Sequence, residues 1–132
     1  MAGNSSDERG RCQKVAGLCG KGSGPVVEDD RILVSVVMPV YNGEKTIAAA
    51  LDSALIQDVP LEIIVIDDCS KDHTGDLVMQ YGTSGSLIYE RNETNLGAAM
   101  SRNRGVSMAR GKYVAFLDAD DYWAPGKLKK QL

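Results

Sequence analysis

The chain has 132 residues, the length of one ordinary domain, with 43% apolar residues, 25% charged residues and a formal net charge of −3. This balance leaves no basic footprint for nucleic acid and no polybasic patch for a membrane surface. Three cysteines and one histidine argue against a disulfide framework and against a four-ligand zinc site. Residues 1–31 mix Gly, Ser and charge with scattered apolar residues, which predicts a flexible N-terminal tail ahead of a domain spanning 32–132. Within the tail, "GKGSG" (Gly20–Gly24) has no strand before it and Pro25 after it, so it does not read as a phosphate loop.

From Ile32 the texture changes. "ILVSVVMPVYN" is a β-branched strand that Pro39 and Asn42-Gly43 end. "EKTIAAALDSALIQ" puts Ile47, Leu51, Ala54 and Leu55 on one helical face. "LEIIVIDDCS" is a second apolar strand, and "KDHTGDLVMQYG" a short helix stopped at Gly82. "SLIYE" is a third strand. "NLGAAMSRNRGVSMARG" is a small-residue helix, with Asn95 as the expected N-cap and Gly111 after its end. "KYVAFLD" is the fourth strand, and Pro125 opens a final short helix. Strands alternating with helices predict an α/β fold with a mostly parallel sheet of about four strands and flanking helices. No apolar run approaches the roughly 18–20 residues of a membrane span. The N-terminus lacks the apolar core of a signal peptide, so the expected localisation is cytoplasmic, extending to the inner face of the membrane.

The strand ends carry the chemistry. Three strands finish in "PVYN", "DDCS" and "DADD". In a parallel sheet all carboxyl ends share one edge, and ligands of open α/β sheets bind there. An acidic end on one strand is ordinarily a solvated turn; two of them beside an aromatic-polar end suggest a site. Carboxylate oxygens suit a hard divalent cation, Mg²⁺ or Mn²⁺, and a Mg²⁺ site of this kind is completed by substrate phosphates. Asp118 and Asp120 are two apart, so an extended backbone would place them on one face, whereas Asp67 and Asp68 would point to opposite faces.

Taken together, "VSVVMPVYNGEKTI", "IIVIDDCSKDHT" and "NLGAAMSRNRGVSMARGKYVAFLDADD" resemble the family 2 glycosyltransferases of the GT-A fold, from about Val34 to the end of the chain. The resemblance implies a Rossmann-like GT-A half. Pro39 and Tyr41 would contact the nucleotide base, with Asn42 beside them in the donor site, and Asp68 would accept the N3–H of a uracil. Arg102 and Asn103 would sit near the donor or tie their helix to neighbouring loops. Asp120 would ligate the metal directly, and Asp118 would bind the ribose or reach the metal through water. The implied reaction is transfer of a sugar from a nucleotide-diphospho-sugar, a UDP-sugar in the first instance, to a glycan or lipid-linked acceptor in polysaccharide biosynthesis, with inversion. The alternative bases are another pyrimidine and guanine.

In this family the general base lies well after the D-x-D motif, and no residue before Leu132 matches it. The catalytic base is therefore unassigned, and the chain is expected to carry the donor-binding half, with exposed surface that favours self-association. His73, the lone histidine, reads as an exposed helix-start residue. Ser70, Asp72 and Thr74 read as local organisers of the second helix. Cys69 stands where the family turn commonly has glycine, so a positive φ there would be harder to adopt. Two other classes fit the same elements: a nucleotidyltransferase-like enzyme, and a non-catalytic nucleotide-binding or interaction module.

Overall fold

A computed structural model describes residues 31–82 and 86–132, together with short extended backbone segments at Asp7–Glu8, Gly10–Arg11, Lys14–Val15 and Leu18–Gly20. Apart from those segments, the expected tail and the Gly20–Gly24 stretch lie outside the described residues. The body runs β1 (Val34–Val40), α1 (Ile47–Leu55), β2 (Leu61–Asp67), α2 (Thr74–Gln80), β3 (Leu87–Arg91), α3 (Ala98–Met108), β4 (Tyr113–Phe116) and α4 (Lys127–Gln131). The four strands are parallel and stand in the order β4-β1-β2-β3. Leu18–Gly20 pairs antiparallel with the outer edge of β4. No helix among the described residues is long and apolar enough to cross a membrane.

Strand alternation divides the core into two layers. Val34, Val36, Met38 and Val40 pack with Ile63 and Val65 against Ile47, Ala50, Leu51 and Ala54 of α1 and Val78 of α2. Val37, Ile64, Ile66 and Val114 face the other way, towards Val106 and Met108 of α3. Each wholly buried Ile or Leu contributes about 1.5–3 kcal/mol. The apolar strands are continuous because helices cover both faces of the sheet. α3 approaches β1 closely at Gly105, where a Cβ would come within 2.4 Å of Val37 Cγ1.

Three local expectations are corrected. Leu55 is 43% exposed, and the buried face of α1 uses Ala50 and Ser53 instead. Pro39 does not end β1, which continues to Val40. Its missing N–H is harmless because that side of the residue points to β4, whose ladder with β1 has already closed with Leu117 N–H donating to Val37 O. The N-cap of α3 is Gly97, at φ 94°, and not Asn95.

The order β4-β1-β2-β3 reverses direction at β1. The chain steps outward from β1 to β2 and β3, then returns to the opposite side of β1 as β4. At such a switch point the loops after β1 and β4 diverge, and a crevice opens at the carboxyl edge.

Candidate functional site

The crevice is an open cleft of about 720 Å³. Tyr41 and Asn42 line it from the end of β1, Asp68 from the end of β2, Arg102 from α3, and Asp118 and Asp120 from the end of β4. Pro39 lines its floor. All seven residues singled out from the sequence for the base, ribose and metal positions thus meet along one cavity. Asn103 is not among them: it is exposed on α3 and does not line the cleft.

The β1 loop is held by the β2 loop through a reciprocal set of hydrogen bonds. Asn42 N–H donates to Ser70 Oγ at 2.8 Å, Gly43 N–H to Thr74 Oγ1 at 2.9 Å and Glu44 N–H to Asp72 Oδ2 at 3.2 Å. In return Lys71 N–H donates to Asn42 Oδ1 at 2.8 Å and His73 N–H to Glu44 Oε1 at 2.9 Å. Ser70, Asp72 and Thr74 therefore do more than organise α2 locally; they fix the loop that carries Tyr41. Both loops need a left-handed residue, Asn42 at φ 52° and Cys69 at φ 66°. Asn tolerates this region, and Cys is strained in it. Tyr41 itself is half exposed, so its ring is open to a ligand. His73 is exposed and lies 3.4 Å from Asp76, as an ordinary helix-start residue.

Asp67 and Asp68 diverge to opposite faces of the sheet. Asp67 is wholly buried; it accepts from Tyr89 Oη and, at 2.8 Å, from Ser70 N–H, with the Arg91 guanidinium 3.5 Å away. Burial, the hydrogen bond to Asp67 and the Asp67 charge push the Tyr89 phenol up to about 12. Asp67 is thus a structural anchor of its turn. Asp68 points the other way, into the cleft wall, and is 4% exposed. It accepts from Leu96 N–H at 2.7 Å, Gly97 N–H at 2.8 Å and Asn92 Nδ2 at 2.9 Å. Burial works to raise its carboxyl, but these three donors outweigh it and hold the group below the usual carboxylate value. They also seat the carboxylate at the N-terminus of α3, where the helix dipole favours an anion.

The Asp118–Asp121 stretch is a turn and not an extended strand: β4 ends at Phe116, and Asp121 N–H donates to Asp118 O at 3.0 Å. The expected alternation from Asp118 to Asp120 is therefore not the reason they meet. The turn itself gathers Asp118, Asp120 and Asp121, each offering a carboxylate oxygen within 4.8 Å of the others. Three exposed oxygen ligands on one side of a turn are the donor set that Mg²⁺ or Mn²⁺ takes, with waters or phosphates filling the remaining positions. Arg102 Nη2 lies 3.3 Å from Asp118 Oδ1. A cationic side chain therefore already shares this corner.

The sequence model described as "Glycosyl transferase family 2" matches residues 35–132. The chain belongs to this family. A relative in Escherichia coli, the UDP-Glc:alpha-D-GlcNAc-diphosphoundecaprenol beta-1,3-glucosyltransferase WfaP, is 42% identical over 101 residues, which covers 76% of this chain and 40% of WfaP. S. aureus TarS 1-349 in complex with UDP-GlcNAc superposes with a TM-score of 0.70 at 39% identity, covering 75% of this chain and 30% of that one. The mannosyltransferase PcManGT from Pyrobaculum calidifontis, in complex with GDP-Man and Mn²⁺, gives 0.69 at 29% identity, covering 80% of this chain and 33% of that one. The chain thus spans about 40% of the length of WfaP, and the shared fold is the Rossmann-like part of GT-A.

Sequence reasoning missed the residues behind this family 2 cleft. Ser101 is wholly buried and lines the cleft, and Asn92 is 2% exposed beside Asp68. Asn92 sits in "ERNETN", which reads as a polar connection, and nothing in its spacing marks it as buried. The signal that could have found it is thermodynamic: a buried carboxylate at the end of β2 needs donors, and the β3–α3 connection is the nearest supply.

Proposed function

We propose that this chain is the donor-binding part of a metal-dependent glycosyltransferase that takes a nucleotide-diphospho-sugar. The observation that carries this reading is the single cleft at the β1/β4 switch point, which holds an aromatic face, a buried acceptor-only carboxylate and an acidic turn together. Tyr41 and Asp68 bind and orient the base, Asp118 lies at the ribose, and Asp120, with Asp118 and Asp121 beside it, would hold the cation. A divalent cation bound there would offset the charge of the departing nucleoside diphosphate. Arg102, which pairs with Asp118, would supply a second positive charge towards the same phosphates. Likeness to the family supports the rest of the reading: a glycan or lipid-linked acceptor, inversion at the anomeric carbon, polysaccharide assembly, and work in the cytoplasm, extending to the inner face of the membrane. UDP is the donor nucleotide expected first, supported by the UDP-sugar relatives WfaP and TarS.

Calorimetric titration with UDP, CDP and UTP, each with and without Mn²⁺, tests the reading. Metal-dependent UDP binding that Asp120→Ala weakens at least about tenfold supports it. A clear preference for UTP transfers the assignment to a nucleotidyltransferase-like enzyme, and absence of nucleotide binding leaves an interaction module.

A further inference from the structure

Behind Asp68 stands a chain of hydrogen bonds that reaches from α3 through the β3–α3 connection. Arg104 Nη1 donates to Asn92 Oδ1 at 2.7 Å and to Arg91 O at 3.2 Å, and Arg104 Nη2 donates to Glu90 Oε1 at 2.9 Å. Asn92 Nδ2 donates onward to Asp68 Oδ1 at 2.9 Å and to Ser101 Oγ at 3.0 Å. The Asn92 backbone N–H is tied to Asp67 O at 2.8 Å. Asn92, Ser101 and Asp68 are all at least nine-tenths buried.

The direction of this chain is set by chemistry. A guanidinium only donates, so the amide oxygen of Asn92 must face Arg104. The amide nitrogen then faces Asp68, and an ionised carboxylate only accepts. An ionised carboxylate offers about four acceptor positions. Leu96 N–H and Asn92 Nδ2 occupy Oδ1, and Gly97 N–H occupies one position of Oδ2. About one acceptor position, on Oδ2, is left for a ligand in the cleft. If the Asn92 amide turned over, its oxygen would meet the Asp68 carboxylate, and its nitrogen would meet the guanidinium.

We propose that Arg104 is a positioning residue of the donor site: through Asn92 it holds the acceptor-only Asp68 carboxylate in the orientation that keeps an Oδ2 position open to the cleft, where a base that donates an N–H is selected. The inference rests on the proposed function, in which the base meets Asp68. Uracil, with N3–H, satisfies the free acceptor position. Cytosine presents a bare ring nitrogen at N3 and leaves two acceptors facing each other. Arg104 does not line the cleft. Its guanidinium is partly exposed and also pairs with Glu90, which ties α3 to β3. That structural tie is the competing explanation and has its own control.

The test is calorimetric titration of UDP and CDP, in Mn²⁺, against the wild-type chain, Arg104→Met, Arg104→Lys and Glu90→Gln. The wild type is expected to prefer UDP by about tenfold or more, the effect of one buried acceptor left facing another. Arg104→Met is expected to lose most of that preference, mainly through weaker UDP binding. Arg104→Lys, which keeps a donor, restores part of it. Glu90→Gln, which breaks the ion pair and leaves the Asn92 contact, retains it. A wild-type preference that survives in Arg104→Met overturns the inference alone, as does an equal loss in Glu90→Gln. Equal wild-type affinity for UDP and CDP, or no UDP binding, overturns the base-pocket reading and the inference with it.

Discussion

At the residue scale the site balances favourable electrostatics against backbone strain. Cys69 occupies a left-handed conformation at φ 66° where a glycine carries no Cβ penalty. Cys69→Gly is expected to stabilise the chain by about 1 kcal/mol, read as a raised urea midpoint at unchanged m-value. A lowered midpoint would mean that the Cys69 Sγ contacts with Glu93 O and Arg91 outweigh the strain. Individual side chains were legible in the sequence where chemistry is concentrated. Tyr41, Asp68, Arg102, Asp118 and Asp120 stand at strand ends or in a motif helix, and all of them line the cleft. Asn92, Ser101 and Arg104 were not legible, because their role comes from three-dimensional donor–acceptor matching that no spacing encodes. Asp67 was legible in part: strand alternation turns it away from Asp68 and towards the amides of its turn, and only the Tyr89 partner needed the fold.

At the scale of elements, two devices position the cleft. The first is the lacing of the β1 and β2 loops. Thr74 is wholly buried and is the acceptor for Gly43 N–H. Thr74→Val preserves the shape and leaves that buried amide unpaired, so it is expected to cost about 1–3 kcal/mol and to weaken UDP binding through Tyr41. Unchanged thermal stability would show that the lacing is dispensable. The second is the close seat of α3. Gly105→Ala would drive a methyl to 2.4 Å from Val37 Cγ1; the expected loss is about 1–3 kcal/mol by chemical denaturation, together with a displaced Arg102 and weaker nucleotide binding. Element order and type were readable from periodicity, since apolar runs and helical faces report packing directly. Boundaries were less so. Pro39 reads as a terminator until the sheet order shows that its N–H side has no partner strand left, and Asn95 reads as a cap until Asp68 is seen taking the amides of Leu96 and Gly97.

At the scale of the whole molecule, the hydrogen-bonded carboxylates of the loops make the fold acid-sensitive. Asp68 and Asp72 both have carboxyls held below the usual value: at each, burial opposes the shift and hydrogen bonds outweigh it. Groups whose folded pKa is depressed contribute stability that is present above the unfolded value, near 3.8, and lost as pH falls through the folded value. Stability is therefore expected to fall below about pH 4, with a smaller decline in Asp68→Asn; an identical acid profile in that variant would contradict this. Phe116 is 37% exposed and Tyr122 is 75% exposed next to the acidic turn, which is the apolar surface on which self-association would depend. The central claim is that one carboxyl edge gathers base, ribose and metal positions. Paramagnetic broadening of backbone amide resonances by Mn²⁺ in the presence of UDP measures this most directly. The account predicts selective broadening at Asp118–Asp121, extending to Tyr41, Asn42 and Arg102, and its loss in Asp120→Ala. Broadening centred on unrelated exposed acids such as Asp58, Asp76 or Glu93, or unchanged by that substitution, would contradict it.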